Sequence, residues 1–75
     1  MVGGKKLEVK YTVLIEKNEE GGYTVIVPSL PGCITQGDTW QEAMANAREA
    51  IAGYIEALKD IGKPVPVELP IEVTL

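Results

Sequence analysis

The sequence predicts an α/β (α+β) fold in the order β-β-β-α-β, a three- to four-stranded, mainly antiparallel sheet with one helix packed on one face. Three observations carry this. Apolar residues alternate with polar ones over residues 7–15 and 23–27, the period of a half-buried strand. From Trp40 to Leu58 the apolar spacing changes to i, i+3, i+4, i+7, the period of a helix with one buried stripe. Between the two lies a stretch, residues 30–43, that holds a Pro-Gly turn, a short apolar piece and a Gly-Asp turn.

Taken in order, residues 1–6 are a Gly-containing flexible lead. Leu7, Val9, Tyr11, Val13 and Ile15 then share one strand face, and Glu8, Lys10, Thr12 and Glu16 the other, with Leu14 interrupting the polar side. Asn18-Glu19-Glu20-Gly21-Gly22 is a polar loop whose glycines are free to take positive φ. Tyr23, Val25 and Val27 resume the alternation, so the two runs pair as an antiparallel hairpin. Pro28 ends the second strand because it brings no N–H to a ladder. Cys33 to Gln36 is a third short strand. Thr39 opens the helix as its N-cap, and with Glu42 it fits a capping box, each side chain bonding the other residue's backbone N–H. The apolar stripe runs Trp40, Ala43, Met44, Ala47, Ile51, Tyr54, Ile55, Leu58, and it is expected in the core. Gly53 interrupts a helix interior, which costs roughly 1 kcal/mol against Ala; close approach of another backbone and simple tolerance both account for it. Gly62 is a helix C-cap and Pro64 prevents continuation. Residues 63–70 form a Pro-rich connector, and Ile71, Val73 and Leu75 alternate with Glu72 and Thr74 as a last strand.

With 75 residues the whole chain, 1–75, is one domain. A chain this short buries only roughly 60% of the surface it exposes when unfolded, and a second copy would add burial. We therefore expect a homo-oligomer, a dimer or higher, formed through the outer sheet face of Thr12, Leu14, Thr24 and Ile26 or through an edge at residues 7–16 or 71–75. The formal net charge of −4 repels phosphate backbones and attracts basic proteins, so no nucleic acid is expected to bind this chain directly. There is one cysteine and no histidine. An intrachain disulfide, a closed zinc site and a Ser-His or Cys-His nucleophile are thereby excluded, and a reducing cytoplasmic location is expected. No apolar run reaches the roughly 18 residues of a membrane span, and no signal peptide is read. No catalytic residue, metal or cofactor is expected.

Several segments together resemble the HicB family, the antitoxins of HicA–HicB toxin–antitoxin pairs. They are Tyr11-Thr12-Val13-Leu14-Ile15, Gly22-Tyr23-Thr24-Val25, Val27-Pro28-Ser29-Leu30-Pro31-Gly32-Cys33, Gly37-Asp38-Thr39-Trp40-Gln41-Glu42-Ala43 and Ala47-Arg48-Glu49-Ala50-Ile51. The resemblance covers about residues 10 to 62. It implies a partial ribonuclease-H-like (HicB-like) fold and direct binding to a HicA-like toxin, a small mRNA-cleaving protein whose active site is covered. Many family members add a C-terminal helix-turn-helix or ribbon-helix-helix domain for operator DNA. The sequence has no such segment and is expected to be a short form without a DNA-binding domain.

Candidate partner-binding residues follow, each with a plainer alternative. Asp38 is a polar contact or a turn residue favoured by the helix dipole. Tyr23, near the hairpin loop, is a candidate contact aromatic. The Pro31-Gly32 turn is a candidate lip. Glu42, Glu49 and Glu56 recur every seven residues, roughly 10 Å apart along a helix. That is too far for a two-metal nuclease site, whose ions sit about 4 Å apart; the ridge is a solvated face or a docking surface for a basic toxin. Cys33 lies in an apolar piece with no base, so buried packing is expected. The leading function is an antitoxin-like protein that binds and neutralises a HicA-type toxin by occlusion. A small homo-oligomeric interaction domain with a non-toxin partner is the alternative. A reduced nuclease using Asp38 and Glu42 is opposed by the missing histidine and the carboxylate spacing.

Overall fold

A computed structural model describes residues 9–74. The order is β1 (Leu14–Lys17), β2 (Tyr23–Ile26), β3 (Ile34–Gly37) and α1 (Trp40–Asp60). The strands form one antiparallel sheet in the order β1-β2-β3. The fold is therefore α+β, a three-stranded sheet with one helix, as the two periods demand.

Register follows from the alternation. Ile15, Val25 and Thr35 lie side by side on the face toward the helix, and Leu14, Ile26 and Ile34 form the matching row on the outer face. Small residues bring the helix close: Ala43 and Ala47 are buried against Val25, with Val13, Ile15, Tyr23 and Met44 packed around them. A second cluster joins Val27, Leu30 and Cys33 to Tyr11, Val13, Ala50, Ile51 and Tyr54. The helix lies over β3 and β2 and leaves β1 uncovered.

Both helix ends are capped by side chain or backbone. Thr39 is the N-cap, its Oγ1 accepting from the Glu42 amide at 3.1 Å. The return bond of the expected capping box is displaced by one residue: the Glu42 carboxylate accepts from the amide of Asp38, at 3.0 Å, and not from that of Thr39. At the other end Gly62 takes φ 71° and its amide bonds the Lys59 carbonyl, while the Lys63 amide bonds the Leu58 carbonyl. This pair of bonds closes the last turn as a Schellman motif, with Gly62 in the one position that needs the left-handed conformation.

Three expectations are corrected. Residue 7 lies outside the described residues, and the first strand begins at Leu14, although Tyr11, Thr12 and Val13 keep the in-out alternation. Beyond Leu14 the ladder would need Pro28, which brings no N–H; the Thr12 amide instead donates to Glu68 Oε2 at 2.9 Å. No last strand forms over residues 71–74: Pro66 and Pro70 lack donors, and among the described residues the hydrogen bonds that hold the segment are those of Pro66 and Glu68. Trp40 is half exposed and not in the core, because it stands at the first helical position, beside Tyr23 at the start of β2; its ring meets Tyr23 edge-on, centroids 5.9 Å apart.

Candidate partner-binding site

The loop between β1 and β2 is tied by its own hydrogen bonds. The Asn18 amide bonds the Gly22 carbonyl, the Gly21 amide bonds the Asn18 carbonyl, and Thr24 Oγ1 donates to Asn18 Oδ1 at 2.8 Å. Gly21 and Gly22 take φ 101° and 82°, so the two glycines permit the tight return.

Gly37 brings the start of the helix to this loop. Its φ is not in the left-handed region, so its role is not the free turn the sequence suggests. It is close approach: a Cβ placed on it would stand 2.4 Å from the Ala43 nitrogen and 2.7 Å from the Ala43 Cα. A bare residue at the end of β3 therefore lets the first helical turn rest on the sheet. Asn46 Nδ2 secures that seat by donating to the Gln36 carbonyl at 2.8 Å.

The result is a shallow depression of about 910 Å³ bounded by the end of β1, the hairpin loop, the end of β3 and the first helical turn. Its rim carries Glu16, Glu19, Glu20, Asp38 and Glu42 against one cation, Lys17. Five carboxylates on four separate segments give this end of the molecule a concentrated negative potential. Among the described residues no group of three or more His, Cys, Asp or Glu side chains is placed to hold a metal ion.

The residues singled out from sequence do not make one patch. Asp38, Glu42 and the cap residue Thr39 meet at the depression, with half-buried Tyr23 nearby against Trp40. Glu49 and Glu56 are exposed and lead away along the helix. Pro31 and Gly32 sit on the β2–β3 loop, at the other end of β2 and β3 from the depression, where Tyr54 Oη donates to the Pro31 carbonyl at 2.8 Å. Glu16, Glu19 and Glu20 join the site only in three dimensions. Their signal in the sequence was a run of acids flanking a Gly-Gly pair, which by itself reads as a solvated turn.

Cys33 is buried, and burial pushes its thiol above the ordinary range, as an inert packing residue requires. Glu68 behaves oppositely. Hydrogen bonds from Thr12, then from Ser29, hold its carboxyl below the usual carboxylate range.

The family model for the HicB-like antitoxin of bacterial toxin–antitoxin systems matches residues 11–75. A UPF0150 protein of Thermoplasma acidophilum is 51% identical over 67 residues, 89% of this chain and 97% of its own length. A UPF0150 protein of Synechocystis is 53% identical over 58 residues, 77% of this chain and 73% of its own. Antitoxin HicB 1 of Photorhabdus laumondii is 36% identical over 63 residues, 84% of this chain but 41% of that longer protein. A family model matched over residues 11–75 and relatives up to 53% identical lead to one conclusion: the chain belongs to the HicB-like antitoxin family of bacterial toxin–antitoxin systems.

Proposed function

We propose that this protein neutralises a HicA-type mRNA-cleaving toxin in the cytoplasm, without catalysis, by lying across the toxin's active site as a homodimer. The acidic depression is the observation that supports this reading. A protein that cleaves RNA must hold a phosphate backbone and so carries a basic surface. Glu16, Glu19, Glu20, Asp38 and Glu42 present a complementary negative surface on a well-braced frame. Complementary charge steers encounter and raises the rate of capture. The Trp40–Tyr23 pair beside the depression adds aromatic surface of the kind that anchors interfaces. In this reading the extended sheet is a partial ribonuclease-H-like platform, and Glu49 and Glu56 widen the contact along the helix.

The test is capture of a purified HicA-type toxin, followed by surface plasmon resonance at rising salt. Binding is expected to weaken steeply with salt, and Glu19→Lys with Glu20→Lys to slow association about tenfold or more. Co-expression is expected to relieve growth arrest by the toxin. Capture indifferent to both salt and charge reversal would remove the acidic depression from the interface, and absence of capture would remove the function.

A further inference from the structure

Residues 67–74 are written as a strand, but among the described residues they pair with no other strand. Val67, Leu69, Ile71 and Val73 alternate with Glu68, Pro70, Glu72 and Thr74, yet the four apolar side chains are 71–81% exposed. An alternation of this kind has a purpose only against a surface that buries one face. The chain also has an unfilled apolar groove of about 450 Å³, bounded by Val9, Tyr11 and Val13 on one side and by Met44, Ile51 and Ile55 of α1 on the other. It lies along residues 9–13, which lead into β1, the edge strand that the helix leaves uncovered.

We propose that residues 69–74 of one copy of this chain lie in the groove of a second copy, as the strand missing beside β1, and that the exchange is reciprocal. Two observations match this tail to the groove, and a third places it on a second copy. The first is length. Leu69 to Val73 in extended form spans roughly 13 Å, and the helical wall from Met44 to Ile55 is roughly 16 Å long. The second is charge. The groove's charged side chains are Lys10 and Arg48, both cations; the tail's are Glu68 and Glu72, both anions, and Glu68 is already engaged by Thr12 and Ser29. Glu72 is left to meet Arg48. The third is tethering. Tyr11 Oη donates to the Pro66 carbonyl and Glu68 accepts from Thr12, so the tail leaves its own body next to the groove wall, with its apolar side chains turned to solvent and not into the groove. Each protomer then gives one strand and receives one, the self-complementary contact of a two-fold pair. The proposal deepens the homodimer named above by giving its route; it does not depend on toxin capture.

The experiment mixes two charge variants, Arg48→Glu on one chain and Glu72→Arg on another. Each alone sets like charges at both tail–groove contacts, whereas the mixed pair restores opposite charges at both. By analytical ultracentrifugation each variant is expected to dissociate at least tenfold more readily than wild type, and the equimolar mixture to recover most of that loss. A mixture that associates no better than its components overturns the exchange. Circular dichroism checks that each variant keeps its helix. Hydrogen exchange on the unmodified protein gives a reading independent of any variant: the amides of Leu69, Ile71 and Val73 are expected to be protected in concentrated solution and to exchange freely on dilution. Exchange at free-peptide rates at all concentrations overturns the proposal. A wild-type dimer with unprotected tail amides would remove only this route, and a wild-type monomer would remove the homodimer as well; toxin capture is scored separately from both.

Discussion

Gly37→Ala and Gly53→Ala are the same chemical change with opposite expected outcomes, and the difference comes from what stands opposite each glycine. A Cβ on Gly37 would lie 2.4 Å from the Ala43 nitrogen, 2.7 Å from its Cα and 2.8 Å from the Glu42 carbonyl carbon. Ordinary contact needs roughly 3.5–4.0 Å, so the first helical turn must retreat by about 1 Å, and these atoms are backbone that no rotamer can move aside. Overpacking of this sort costs about 1–3 kcal/mol. Retreat of the turn also strains the Asn46–Gln36 bond and the Thr39 cap, the cap alone contributing about 1 kcal/mol. A total loss of roughly 2–4 kcal/mol is a large part of the roughly 4–11 kcal/mol available to a chain of this size. A Cβ on Gly53 meets nothing within 4 Å, so that substitution is expected to stabilise by about 1 kcal/mol through helix propensity. Urea denaturation followed by circular dichroism reads both. With an m-value near 1 kcal/mol/M, the midpoint is expected to fall by about 2 M or more for Gly37→Ala and to rise by about 1 M for Gly53→Ala. A Gly37→Ala protein that unfolds within about 0.5 M of wild type would refute the close-approach argument.

Thr39→Ala should remove the N-cap bond to the Glu42 amide and cost about 1 kcal/mol, lowering Tm by about 4–8 °C in calorimetry. Cys33 should react with a disulfide-exchange reagent far more slowly in the folded protein than in urea, since it is both buried and held as the thiol; equal rates would show that the loop opens freely. Glu68 has a folded carboxyl held below its ordinary range, so its anchoring is fully present above that range and is lost as pH falls through the folded value. The Thr12 amide resonance should therefore titrate in acid, and Glu68→Gln should abolish that titration while leaving the rest of the spectrum in place.

The hairpin, the third strand and the helix with both caps were legible because each rests on local chemistry. Alternation set β1 and β2, Thr39 and Gly62 marked the helix ends, and Pro28 ended β2. What could not be read depended on distant atoms. Gly37 looked like a turn glycine, and only the position of Ala43 shows that its missing side chain serves packing. Trp40 fitted the apolar stripe by spacing, but spacing does not reveal that its ring meets Tyr23 at the end of the sheet and stays half exposed. The last strand had the correct period and, among the described residues, no partner strand. At the candidate site Asp38 and Glu42 were found by their place near the helix start. Glu16, Glu19 and Glu20 were hidden because an acidic turn has the same composition whether it faces open solvent or a neighbouring helix.

The connection from β2 to β3 has a consequence for how the molecule is attacked. Leu30 is fully buried, the Leu30 amide bonds the Val27 carbonyl, and the Cys33 amide bonds the Leu30 carbonyl. A protease must draw a segment out in extended form before cutting it, and residues 28–32 cannot be drawn out without extracting Leu30 from the core and breaking the Tyr54 tether. Nicking there will track global unfolding, so a surface loop becomes a clock for the stability of the entire chain.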